Sequence, residues 1–208
     1  MTKHFNALIA STALTLAMGV PAFAQSDDIV MVTATKRAEN IQDVPISISA
    51  YSAEFIEESG VQDLRDIALY SPNFTIGSSS QLSNNRIAIR GVGSVGNAGI
   101  EPSVGVFIDG IYMPRPGSVI GNLMDLQAVE VLRGPQGTLF GRNTPMGALN
   151  VRTADPSMAG TEYMATASYG SENKVGIGGY VNIPLSDNAA ARISGKYTDR
   201  DGYGDNLL

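Results

Sequence analysis

Residues 129–150 read VEVLRGPQGTLFGRNTPMGALN. The β-branched start, Val129 to Leu132, predicts a short strand that stops at Arg133-Gly134. Residues 133–142 hold three glycines and one proline, the composition of a tight, glycine-shaped turn. They are not a phosphate-binding loop, because no Gly-Lys-Ser/Thr closes the run. A last strand is expected over 149–152, ahead of Asp155-Pro156.

Working outward, residues 104–108 and 111–113 flank Asp109-Gly110, a strong hairpin signal. Residues 86–91 (RIAIRG) alternate and predict a strand. Residues 46–50 predict another, after which Ser52 can cap a short helix ending at Gly60. A second helix is expected over 63–69, closed by Ser71-Pro72, and a helical turn over 123–127. Residues 41–156 therefore predict a compact α+β domain of short mixed strands and small helices joined by Gly-rich loops.

The pattern changes after Pro156. At 175, 177, 179, 181, 183 and 185 every residue is apolar or Gly, and Tyr180 and Asn182 fall between them. After Ser186-Asp187-Asn188 the alternation resumes: Ala189, Ala191, Ile193, Gly195 and Tyr197 on one face, Arg192, Ser194, Lys196 and Thr198 on the other. Residues 161–169 are a weaker third case. Segments of about 10 residues with period two and short turns are the mark of transmembrane β-barrel strands. A half-buried sheet of a soluble protein alternates in the same way. Tyrosines near the segment ends (Tyr163, Tyr169, Tyr197, Tyr203) and the N-terminus favour the barrel.

That N-terminus has the layout of a secretory signal peptide: Lys3 and His4, an apolar run over 7–20, then Ala22-Phe23-Ala24 before a cleavage point at Gln25. Residues 25–40 form a leader expected to be flexible. Within it, Ile29-Val30-Met31-Val32-Thr33 lies between Asp27-Asp28 and Lys36-Arg37. It is either the first strand of the domain or a segment offered to another protein by strand addition.

Composition excludes several functions. The 208 residues carry a net charge of −6, so a nucleic-acid footprint is not expected. There is no Cys, and the one His is His4, so no His-based triad or His metal site can form. Gly91 to Gly96 fits G-x-G-x-x-G, but Asn97-Ala98-Gly99-Ile100-Glu101-Pro102 cannot start the helix a dinucleotide needs. No enzyme, cofactor or metal site is expected. Between Ala38 and Asn173 the positive residues are all arginines: Arg65, Arg86, Arg90, Arg115, Arg133, Arg142 and Arg152. Arginine suits interfacial carboxylate pairs through its planar fork.

Together these residues resemble one family. Residues 40–50 (NIQDVPISISA), 87–93 (IAIRGVG), 106–112 (VFIDGIY) and 129–150 are similar to the plug domain of TonB-dependent outer-membrane receptors. Asp28, Ile29, Val30, Met31, Val32 and Thr33 resemble the TonB box. The resemblance implies a signal peptide (1–24), a leader with the box (25–40), a plug (41–156) and about the first three strands of an incomplete barrel (157–208), in a family whose barrels have 22 strands. It thus implies the N-terminal fragment of a longer receptor of the Gram-negative outer membrane. It implies uptake of a scarce ligand, most often an iron–siderophore chelate, driven by TonB with ExbB and ExbD. Arg90, Glu130 and Arg133 would belong to plug–barrel ion pairs. Ser79, Gln81, Ser94, Asn97 and Arg115 would lie at the plug apex, where ligand binds. Pro145-Met146-Gly147-Ala148 departs from the family's usual turn. The rival expectations are a soluble periplasmic plug-like binding module, a passive porin or adhesin fragment, and a truncated receptor remnant.

Overall fold

A computed structural model describes residues 31–33, 35–77, 85–94, 100–121 and 124–202. The proposed signal peptide, Asp28, Ile29, Val30, Ser79, Gln81 and Asn97 lie outside the described residues.

Two short strands open the described chain, β1 (Met31–Val32) and β2 (Glu39–Asn40), paired antiparallel. The β-prone leader stretch thus finds a partner in its own chain at Met31 and Val32. β3 (Ser47–Ser52) leads into α1 (Ala53–Glu58), whose first turn is capped by the Ser52 hydroxyl accepting from the Phe55 amide. α2 (Leu64–Tyr70) starts with a reciprocal cap between Asp63 and Asp66 and stops at Ser71. β4 (Phe74–Ile76) and β5 (Ile87–Ile89) pair as a small antiparallel ribbon.

The hairpin of β6 (Val104–Ile108) and β7 (Ile111–Tyr112) turns on Asp109 and Gly110, both at positive φ (48° and 80°), as a primed two-residue turn requires. The Asp109 carboxylate then accepts from the Thr153 amide and hydroxyl. The helical turn α3 falls at Gly117–Ile120 rather than over 123–127. Asp125 sits at φ 50°, which a right-handed helix cannot use, and Leu126 already begins β8 (Leu126–Arg133). α4 (Gly137–Phe140) fills part of the glycine-rich turn, and β9 (Gly147–Thr153) ends the domain. Gly147 has φ 149°, and a Cβ there would drive into the Leu132 carbonyl. The departure at 145–148 therefore still supplies the one glycine this junction needs.

The five-stranded sheet has the order β3-β8-β9-β6-β7, with only β6 and β9 parallel. Its two faces follow from alternation along the strands. Val129, Val131, Leu149, Val151, Val104 and Val106 face α2, α3 and the β4–β5 ribbon, packing on Leu64, Ile67, Phe74, Ile89 and Ile120. Leu132, Ala148 and Phe107 face the other way, with Val32, Val44 and Phe140. The second face is thus covered in part by the leader.

β10 (Glu162–Tyr169), β11 (Val175–Ser186) and β12 (Ala189–Asp199) form a separate antiparallel sheet in which each strand pairs with its neighbour in sequence. Its apolar side chains point to solvent: Ile177 is 59% exposed and Ile193 73%. Gly176 and Asn182, on the opposite face, are buried. A soluble half-buried sheet would show the reverse. A face of Val, Ile, Leu and Tyr turned outward, with the Gly and polar face turned inward, is the arrangement of barrel strands in lipid.

Candidate functional site

The leader is fixed by three anchors. Val32 is fully buried among Val44, Phe107, Leu132, Phe140 and Ala148. The Thr33 amide and hydroxyl both donate to Glu130 Oε1, at 2.7 and 3.1 Å. The chain then turns, the Lys36 amide donating to the Thr33 carbonyl, and Lys36 Nζ lies 4.2 Å from the centroid of the Phe140 ring. Glu130 is itself fully buried, and its Oε2 accepts from Asn150 Nδ2 at 3.0 Å. Asn150 is its cross-strand partner on β9 and also reaches the Thr33 hydroxyl.

Arg133 lies three residues along β8 and works on other groups. Its Nε donates to the Pro72 carbonyl (3.0 Å), and its Nη2 donates to the hydroxyls of Ser49 (2.6 Å) and Ser71 (3.0 Å). It thereby ties β3 and the end of α2 to β8. Burial pushes the Arg133 pKa below the usual arginine value; Tyr51 opposes this, and Arg90 adds a smaller push downward. Arg90 is exposed and sits at φ 55°, followed by Gly91 at 78°. Among the described residues no carboxylate is ion-paired with Arg90 or Arg133, and the bonds of Glu130 stay within the leader and plug.

Of the apex candidates, Ser94 is half-buried, and its hydroxyl accepts from the Ser103 amide. Arg115 is exposed at the start of the α3 turn, where its carbonyl accepts from Ser118. No group of His, Cys, Asp and Glu suited to a metal ion occurs among the described residues.

The seam between plug and barrel strands contains a pair that the sequence did not disclose. Arg192, on the inward face of β12, grips Asp125 with two prongs, Nε to Oδ2 at 2.7 Å and Nη2 to Oδ1 at 2.5 Å. Its guanidinium stacks on the Tyr180 ring, 3.7 Å from the centroid. Both charged side chains are about nine-tenths buried. The positive φ of Asp125 suits a turn, while its carboxylate forms the interface with β12. Lys174 adds a bond to Gln62, 2.9 Å across the same seam. Asn182 binds the linker, donating to the carbonyls of Ser157 and Gly160 and accepting from the Ser157 amide. Between α1, the start of β8 and the glycines of β11 and β12 lies a cavity of about 660 Å³.

A plug sheet with its leader, linked by a buried ion pair to strands that turn their apolar side outward, is the arrangement of a plug domain followed by the first strands of a transmembrane β-barrel. Residues 40–148 match the TonB-dependent Receptor Plug Domain, and the chain belongs to the TonB-dependent receptor family. It is 30% identical to the iron-regulated outer membrane virulence protein of Vibrio cholerae, over 99% of this chain and 35% of that protein. It is 32% identical to the ferrioxamine B receptor of Salmonella typhimurium, over 92% of this chain and 30% of that one. The crystal structure of the ferric yersiniabactin uptake receptor of Yersinia pestis superposes with a TM-score of 0.66 at 26% identity, covering 73% of this chain and 24% of that one. The chain thus spans about a third of the length of the curated relatives it matches.

Proposed function

We propose that this chain is the plug-bearing N-terminal part of an outer-membrane receptor that imports an iron–siderophore chelate with energy delivered by TonB, assisted by ExbB and ExbD. The observation that carries the proposal is the plug with its docked leader, in a chain whose relatives include receptors named for ferrioxamine B and ferric yersiniabactin. In this reading residues 1–24 are a cleaved signal peptide, and Asp28 to Thr33 pair with TonB by strand addition. Of the three residues expected in plug–barrel ion pairs, exposed Arg90 is the one left to reach the barrel wall, since Glu130 and Arg133 make their bonds within the leader and plug. Ser79, Gln81, Ser94, Asn97 and Arg115 face the ligand.

The test is uptake of iron-55 from a panel of ferric siderophores by cells whose only such receptor is this one. Uptake of at least one chelate that disappears on deletion of tonB supports the reading. Uptake that persists without TonB indicates a passive pore, and no uptake of any chelate removes the iron–siderophore assignment.

A further inference from the structure

Asp109-Gly110 is the pair that a primed hairpin turn asks for, and it is also a chemically weak link. Glycine carries no side chain to screen its own amide, and a Cβ at Gly110 would meet no atom within 4 Å. In such a pair the glycine nitrogen can attack the aspartate side chain. A bond forms between Gly110 N and Asp109 Cγ, and one carboxylate oxygen leaves as water, taking the amide proton and one proton from solvent. The product is a five-membered succinimide ring. Water then opens the ring at either carbonyl. One opening restores aspartate; the other routes the main chain through Cγ and leaves isoaspartate.

Both residues are exposed, so burial does not prevent this reaction. The carboxylate is nevertheless held. Its Oδ1 accepts from the Thr153 amide at 2.9 Å, and its Oδ2 accepts from the Thr153 hydroxyl at 2.8 Å. The Asp109 amide donates to the Val151 carbonyl at 3.0 Å, one step beyond the parallel pair of Ile108 and Val151. Asp109 thus extends the β6–β9 pairing by one rung, with its side chain standing where a backbone acceptor would. To reach the Gly110 nitrogen, the side chain must give up both bonds to Thr153. An asparagine offers one acceptor oxygen, whereas an aspartate offers two, and Thr153 uses both. The pair Asp201-Gly202 lacks this arrangement: the Asp201 carboxylate accepts from the side chain of exposed Asn173.

We propose that Asp109-Gly110 is a latent isoaspartate site and that Thr153 guards it, holding the carboxylate with both of its donors so that the ring closes only when the end of β9 frays. Isomerisation would put one more carbon into the main chain of a two-residue turn whose register is Ile108 opposite Ile111. The side group left behind is shorter by that carbon and no longer fits the two donors of Thr153. The change is therefore one-way, and it detaches the β6–β7 hairpin from the end of β9. The guard stands on the β6–β9 geometry alone and is independent of what the receptor imports.

The test is ageing of the purified full receptor at neutral pH, with isoaspartate at position 109 quantified by peptide mapping and a fragmentation method that separates the two isomers. Because the readout is specific to one position, other Asp-Gly pairs in the receptor do not interfere. A synthetic peptide with the sequence of residues 104–115 gives the unguarded rate. The expected result is isomerisation at least about tenfold slower in the receptor than in the peptide, since ring closure must wait for local opening. Thr153→Val removes the hydroxyl and keeps the amide, and should raise the rate at least about threefold. Thr153→Pro removes both donors and should bring the rate close to that of the peptide.

The denaturation midpoint of each variant is measured alongside. If Thr153→Pro lowers it so far that the sheet end is lost, that variant is set aside and Thr153→Val decides. Equal rates in the receptor and the peptide overturn the guard, because the held carboxylate would then give no protection. A slow rate that Thr153→Val leaves unchanged also overturns it, because the protection would then come from the turn and not from Thr153.

Discussion

Arg192 of β12 and Asp125, the residue before β8, form a two-pronged ion pair that joins the barrel sheet to the plug, with the Tyr180 ring against the guanidinium. Both partners are nearly withdrawn from water. Removing one leaves the other buried and unpaired, which typically costs about 3–5 kcal/mol. Arg192→Ala and Asp125→Ala should each loosen the plug by that order, and the double variant should lose less than the sum of the two. Urea unfolding in a double-mutant cycle checks this; additive losses would show that the pair does not couple. Arg192→Lys should rescue poorly, because an ammonium cannot reproduce the fork.

Ile177 points away from the plug on β11. In a soluble sheet, a charge at an exposed position is nearly neutral. In a barrel wall, Ile177→Arg should destabilise measurably, by less than the about 2–4 kcal/mol of a midplane position, because Ile177 pairs with Tyr197 near the strand end. The readout is the receptor's folded fraction in lipid vesicles under denaturant, and an unchanged midpoint would contradict a lipid-facing β11.

Val30→Pro should abolish energised uptake and leave binding of the same chelate at the cell surface intact. Proline removes an amide from the strand that TonB would extend and resists incorporation into a ladder. Undiminished uptake by this variant would dismiss the assignment of the TonB box.

Arg133→Lys should lower plug stability by about 1.5–3 kcal/mol, since one ammonium cannot span the Pro72 carbonyl and the Ser49 and Ser71 hydroxyls together. Denaturant unfolding reads this directly. An equal midpoint would mean that the three bonds contribute nothing net.

The legible parts of this protein were the local ones. Period-two alternation placed β11 and β12 nearly to the residue, Asp109-Gly110 marked its hairpin, and Ser52 marked its helix. The helical turn was misplaced because a positive φ at Asp125 is not written in composition, and the real turn, GSVI, lacks a side-chain cap. The direction of the alternation needed the structure, since lipid and a soluble core make the same pattern. The Arg192–Asp125 and Thr33–Glu130 contacts were hidden because their partners are 67 and 97 residues apart. An arginine on a strand and an aspartate in a turn each have an adequate local explanation, so nothing in the chain asks for the other.

The separation between Thr33 and its partners also fixes an order of events during synthesis. The leader leaves the ribosome before the plug, but its seat is made from Phe107, Glu130, Leu132, Phe140 and Asn150. That seat does not exist until the sheet strand ending at Thr153 has emerged and paired. Closing so long a loop is entropically unfavourable until the sheet is already there to receive it. The leader is therefore translated early and docked late, and through that interval its apolar strand is open to whatever handles the nascent chain.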